Sequence, residues 1–205
     1  MKPYEYNRIK ALAFNLVNVY HSVNDKTTQE AVYATAANEI LTILSNVPEA
    51  QDFLGKIKDS SLTADRTELA LLALKPLVEP FSLMTESQIR KTFKKVKKLK
   101  LPAISLWDMR EVSYFAWNEI SSNRKYILTA SGDGYYGTIS GQFKNICAIC
   151  KKTSTVTQFL ATTKSGSDGT YTKNGTYICL DSDQCNRQIQ SADGLENFLN
   201  IIKQR

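Results

Sequence analysis

The chain of 205 residues contains a single histidine, His21, and only four cysteines, five prolines and three methionines. Each scarcity removes a class of chemistry. One histidine near the N-terminus offers no Ser-His-Asp arrangement and no His-rich catalytic metal site. His21 closes the first helical pattern, where an imidazole reads as a surface or last-turn residue rather than a ligand. No stretch approaches the roughly 18 consecutive apolar residues of a membrane-spanning helix, so no membrane role is expected. The densest glycine cluster, SGDGYYG, is not followed by a helix opening on Lys-Ser/Thr, and reads as a hairpin turn rather than a phosphate loop. The start, MKPYEYNRIK, is charged and lacks an apolar secretory core, so a cytoplasmic chain with reduced thiols is expected. Together these absences point away from an enzyme.

What is present is concentrated in the last third. Cys147 and Cys150 form CAIC, and Cys179 and Cys185 form CLDSDQC, with 28 residues between the pairs. Two close pairs can each bring two thiolates to one tetrahedral ion, and four thiolates make a closed, structural zinc site. Disulfides, a redox CxxC and inert buried thiols are the alternatives. The redox reading suits poorly, because CAICKKTSTV runs into a β-branched stretch instead of opening a helix. The expectation is one structural Zn²⁺.

Charge is uneven along the chain. Residues 1–84 carry eight basic and ten acidic side chains, whereas residues 85–205 carry 18 and ten, which locates the pI of about 9.0 in the second part. An anionic partner, such as RNA, a ribosome or an acidic protein, would be steered there.

The apolar spacing predicts an α+β chain. Ile9, Leu12, Leu16, Val19 and Val23 follow helical spacing from Tyr4, and Val32, Ala36, Ile40 and Leu44 repeat it before a break at Ser45–Pro48. A short helix over Gln51–Ile57 follows, then another whose capping box is Asp65 with Glu68 and which ends or kinks at Pro76. Residues 1–84 thus read as a helical bundle. Thr85 and Gln88 cap a further helix running to Pro102, with Ile89, Phe93 and Val96 on one face and Lys91, Lys94, Lys95 and Lys98 as a basic ridge on the other. That ridge reads as a solvated face or as a contact for phosphate or an acidic surface.

From residue 103 onward, REVSYFAWNEI, NRKYILTAS and TVTQFLATT read as strands. KSGSDGT reads as a loop, and Asn174-Gly175 as a type I′ hairpin turn leading through Tyr177 and Ile178 to Cys179. Leu195, Phe198, Leu199 and Ile202 mark a last helix. A knuckle, a hairpin and cysteines at a helix start give a treble-clef-like zinc finger over about 145–205, within a mixed α/β domain of residues 85–205. Its small core would depend on the metal.

TFKKVKKLKLP, AWNEISSNRKYI, CAIC, SDGTYTKNGTYIC and the CN at Cys185, in this order, resemble the FusB-type fusidic acid resistance proteins, with a weaker likeness at NVYHSVNDK. The resemblance implies a helical N-terminal domain, a four-cysteine treble clef, and binding to the C-terminal domains of elongation factor G. It implies release of that factor from ribosomes stalled by fusidic acid, without modification of the drug. It also places partner contacts at Tyr177 and Phe198, with Lys173 near them; Ile146 and Asn174 stand where the family tends to have Phe and Lys. Trp117, Asn118, Arg124, Lys125 and Tyr126 fall in the shared signature, but strand and turn packing accounts for them and no role is assigned. The competing reading is a zinc-finger protein that binds RNA or the ribosome directly through its basic domain.

Overall fold

The computed structural model describes residues 1–45, 47–96, 98–104, 107–165 and 171–203. It divides into two units, Met1–Glu79 and Pro80–Arg205.

The first unit contains helices α1 (Pro3–Ser22), α2 (Lys26–Leu44), α3 (Pro48–Ile57) and α4 (Ala64–Leu72). Prolines open α1 and α3 at the position where a missing N–H costs nothing. Asp25 caps α2, its carboxylate accepting the Thr28 N–H at 2.8 Å. Ile9, Ala13 and Leu16 of α1 meet Ala36 and Ile40 of α2, Phe53 and Ile57 of α3 and Leu71 of α4 in one core. Arg8 grips Glu39 with a two-pronged pair, at 2.6 and 2.9 Å, between α1 and α2. The cap of α4 is Thr63, which accepts from the Arg66 N–H, and not Asp65. Asp65 lies inside the first turn, where its charge still favours the helix N-terminus. The helix stops at Leu72, and Pro76 sits in a separate 3-10 turn over Lys75–Leu77.

The second unit opens with α5 (Glu86–Thr92), capped as expected by reciprocal bonds between Thr85 and Gln88. The helix does not continue to Pro102. Phe93 leaves helical geometry so that its ring meets Trp117 and Tyr126 edge-on, at centroid distances of 5.8 and 5.3 Å. The guanidinium of Arg90 then holds the returning chain by donating to the Leu99 carbonyl. Burial of one aromatic ring thus outweighs helix propensity in a lysine-rich segment. Lys91 remains helical, Lys94 and Lys95 lie in a turn, and Lys98 adopts a φ of 131°. All four side chains are exposed, but they do not form the continuous helical ridge that the spacing predicts.

Five antiparallel strands follow as a meander: β1 (Phe115–Glu119), β2 (Arg124–Leu128), β3 (Gly134–Ile146), β4 (Thr153–Ser165) and β5 (Tyr171–Cys179). Phe115, Trp117, Tyr126 and Leu128 pack on Ile89 and Phe93. The turn before β3 closes around Gly132 at a φ of 85°. Asn174 and Gly175 are not a turn. They sit inside β5, opposite Ala161 and Leu160, and the β4–β5 connection spans 166–170, most of the expected KSGSDGT loop and outside the described residues. Gly175 is there because the strands come too close for a side chain: a Cβ would lie 1.8 Å from the Phe159 carbonyl oxygen. Two helices, α6 (Ser182–Gln188) and α7 (Asp193–Lys203), complete the unit.

Candidate metal centre and the adjoining aromatic surface

The end of β3, the start of β4, the end of β5 and α6 converge on one point. The chain turns from β3 into β4 through Cys147–Lys152, with the Lys151 N–H bonded to the Cys147 carbonyl and the Cys147 N–H to the Lys152 carbonyl, both at 3.0 Å. Lys151 takes a φ of 59° to make this knuckle. A bond from the Ala148 N–H to the Tyr177 carbonyl, at 2.9 Å, ties the knuckle to β5. Asp181 caps α6, with its carboxylate on the N–H groups of Asp183 and Gln184, and so fixes the helix that carries Cys185. Gly194, at the start of α7, lets that helix approach the knuckle: a Cβ there would lie 2.0 Å from the Ile149 carbonyl oxygen.

The four sulfurs are buried and lie within 4.8 Å of one another. Cys147 and Cys185 are 3.8 Å apart and Cys150 and Cys179 are 3.7 Å apart. A disulfide needs about 2.05 Å. Ligands about 2.3 Å from a tetrahedral zinc stand about 3.8 Å from each other. The donor set therefore fits a metal ion, and the spacing excludes disulfides in this arrangement. Both the knuckle N–H of Ile149 and the N–H of Cys179 point at the Cys147 sulfur, at 3.4 and 3.3 Å. Hydrogen bonds from the thiols of Cys150, Cys179 and Cys185 pull the Cys147 thiol far below its ordinary value; facing that first thiolate pushes Cys179 and Cys185 up. Four thiols without a cation resist common ionisation, and a divalent cation removes that conflict.

A second set of residues surrounds the sulfurs. Asn186, next to Cys185, is buried and accepts from the N–H groups of Ser113 and Tyr114 while donating to the carbonyls of Tyr114 and Ser182. It fastens α6 to the bend that precedes β1. Gln188 accepts from Ser154 at 2.9 Å and reaches Cys150 at 3.5 Å. The spacing of the cysteines pointed to none of these; the only sequence signal was the position of Asn186 beside a ligand.

Outside the knuckle lies an apolar surface. A bulge between Ser140 and Phe143 changes the register of β3. Beyond it Phe143 is 41% exposed and Ile146 60% exposed. On β5, Tyr177 is 39% exposed and meets Phe143 edge-on at 5.0 Å. Tyr177, whose carbonyl accepts from the Ala148 N–H of the knuckle, thus stands near the sulfur cluster with Phe143 against its ring, a neighbour that the sequence reading did not single out; Ile146, directly before Cys147, is separately exposed. Phe198 does not join them. It is 1% exposed, its ring packed against Phe159 at 5.6 Å, because the apolar stripe of α7 docks on the sheet. The side chains of Lys173 and Asn174 lie outside the described residues; their backbones pair with Thr162 and Ala161.

Comparison with known proteins now adds to this geometry. The family model described as "Elongation factor G-binding protein, N-terminal" matches residues 1–82. A solved structure described as that of the fusidic acid resistance protein FusC superposes with a TM-score of 0.93 and 37% identity, covering 99% of this chain and 97% of that one. The chain belongs to the FusB-type fusidic acid resistance family. Its α+β architecture, with four cysteines clustered as a possible metal site, fits that match. A comparison with curated proteins returns no match. No helix among the described residues is long and apolar enough to cross a membrane.

Proposed function

We propose that this protein binds elongation factor G and releases it from ribosomes on which fusidic acid has trapped it, conferring resistance by protecting the target. Family membership carries the reading: the first 82 residues match a family described by elongation factor G binding, and the whole chain matches a fusidic acid resistance protein. The mechanism needs no catalytic residue. A binder that holds the released or distorted factor more tightly than the ribosome-docked one shifts the equilibrium by that difference in affinity. The protein is no enzyme on this reading, and the drug leaves unchanged.

One Zn²⁺ held by Cys147, Cys150, Cys179 and Cys185 supplies the cross-link that keeps knuckle, hairpin and α6 together. The exposed and touching rings of Phe143 and Tyr177 are the contact surface the reading favours, since aromatic anchors dominate protein interfaces, with the exposed Ile146 as a further candidate. The factor would meet it in the cytoplasm, and the ribosome would be engaged through the factor. Incubation with drug-stalled ribosomes tests this: added protein should restore factor turnover at unchanged drug mass.

Direct RNA contact is the second reading, supported by the exposure of Lys91, Lys94, Lys95 and Lys98 on a unit rich in positive charge. Salt separates the two. Phosphate contacts predict a steep fall of log affinity with log salt, and replacing the four lysines by glutamine would flatten it; an aromatic-centred interface depends on salt far less.

A further inference from the structure

Lys125 is the buried lysine of the shared AWNEISSNRKYI signature, and it has no carboxylate partner among the described residues. It lies on β2, fully covered, with Nζ donating to the Asn118 side-chain oxygen and to the Leu180 carbonyl, each at 2.9 Å. Asn118 reinforces the same carbonyl through its own amide at 2.9 Å. Leu180 directly follows the ligand residue Cys179, so the ammonium is bonded to the peptide that leaves the cysteine cluster. A buried ammonium without a counter-ion is costly, and proteins rarely retain one. Burial lowers its pKa to about 8, and the groups that oppose this are the sulfurs of Cys185 and Cys179, the carboxylate of Asp181 and the sulfur of Cys147.

Tyr114 approaches the cluster from the bend that precedes β1. Its side chain is fully buried, and its hydroxyl makes no hydrogen bond among the described residues. Its backbone N–H and carbonyl are both bonded to the Asn186 side chain, next to Cys185, and after burial itself the Cys185 sulfur acts most on the hydroxyl. An orphaned hydroxyl in a core is expensive unless the atom beside it becomes a strong acceptor. A thiolate is such an acceptor; a neutral thiol is a weak one.

The charge balance explains both oddities together. Four thiolates around a divalent cation leave a net charge of about −2 in a water-excluded site. We infer that Lys125 and Tyr114 are positioning residues for the metal–thiolate centre, the ammonium compensating its negative charge and the hydroxyl donating to the Cys185 sulfur. Their function is to keep electron density on the sulfurs low, so that the ion is held and the thiolates resist electrophiles. The inference rests on metal occupancy of the four cysteines. It gives the signature residue Lys125 a chemical reason that strand packing lacks, because a methionine would fill the same volume without a buried charge.

The test uses the full chain, with Lys125→Met and Tyr114→Phe as variants, each loaded first with Zn²⁺ and then with Co²⁺. Transfer of zinc to excess chromogenic chelator should be about tenfold faster or more in Lys125→Met, the range typical of supporting groups around a metal site. Reaction with a thiol-directed electrophile should accelerate in parallel. In the cobalt form, the sulfur-to-metal charge-transfer band should move to longer wavelength in both variants, since richer sulfurs give up an electron more easily. A purely structural lysine would change melting temperature and leave the band in place. Unchanged band energy and transfer rate in folded variants would overturn the inference. If Lys125→Met does not fold, Tyr114→Phe, which removes one oxygen atom, decides the outcome by its band alone. A wild-type chain that takes up no stoichiometric metal overturns the metal reading itself, and is recognised before any variant is compared.

Discussion

Replacing Gly175 by alanine should unlatch the hairpin that carries both Tyr177 and Cys179. The new methyl carbon would stand 1.8 Å from the Phe159 carbonyl oxygen, 2.8 Å from its carbon and 2.9 Å from the Leu160 side chain, whereas ordinary contact begins at 3.4 Å. Two of these atoms are backbone, so no rotamer change relieves the clash; β4 and β5 must part by about 1.5 Å at this register. Overpacking of a formed core costs about 1–3 kcal/mol, and a ladder bond lost beside it about 1 kcal/mol more. An expected loss of about 3 kcal/mol corresponds to a fall in Tm of roughly 10–15 °C for a unit of this size. Gly141→Ala is the internal control. Its φ of 69° carries a left-handed cost of about 1–2 kcal/mol, but its nearest neighbours are at 3.6 Å or beyond. Thermal unfolding of the zinc-replete proteins, followed by circular dichroism, should rank Gly175→Ala well below Gly141→Ala. Equal melting of Gly175→Ala and wild type would refute the strand assignment and the close approach.

Further expectations concern the centre, the surface and the bundle. Cys185→Ser should reduce bound zinc from one per chain to a small fraction and lower the melting temperature of the second unit, as read by chelator titration and calorimetry. Tyr177→Ala should keep zinc and fold while weakening elongation factor G binding about tenfold, about 1.4 kcal/mol; Phe198→Ala should instead destabilise the fold by about 3–5 kcal/mol, because it empties a core site. In the bundle, the hydrogen bond from Arg8 holds the Glu39 carboxyl below its ordinary range. Its stabilisation is therefore present above the unfolded carboxylate value and lost as pH falls through the lower folded value. Both partners are more than a third exposed, so the effect is at most about 1 kcal/mol. Glu39→Gln should flatten the acid limb of a stability-against-pH curve by that amount, and an unchanged limb would show the pair to be silent.

The helices of the bundle were legible because their cores repeat at three and four residues, whereas the sequence reading passed over Pro3 and Asp25 at the starts of α1 and α2 and placed the start of α3 at Gln51 rather than Pro48. The cluster of four cysteines was legible for a similar reason: paired thiols at short spacing have few other uses. Two local signals misled. Asn174-Gly175 has the composition of a tight turn, yet the glycine answers a cross-strand approach to Phe159, a long-range fact with no local trace. The lysine-rich segment has helical spacing beyond Thr92, but the ring of Phe93 is drawn to Trp117 and Tyr126, residues more than a turn of sequence away and unknowable from the helix alone. Phe198 was named from the resemblance as a contact, and what the structure shows of it is its packing. Its position matched, but the apolar stripe of α7 faces the sheet and keeps the ring in the core. The approach of Lys125 and Tyr114 to the cysteine cluster left no trace in the sequence, since it exists only once β2 and the bend before β1 stand beside α6.

The most direct test of the proposed function is calorimetric titration of the purified protein with purified elongation factor G, free of ribosomes and nucleic acid, in moderate salt. Saturable one-to-one binding, weakened about tenfold by Tyr177→Ala, is the predicted result. Absence of binding by a folded, zinc-loaded protein would contradict it and direct attention to RNA as the partner.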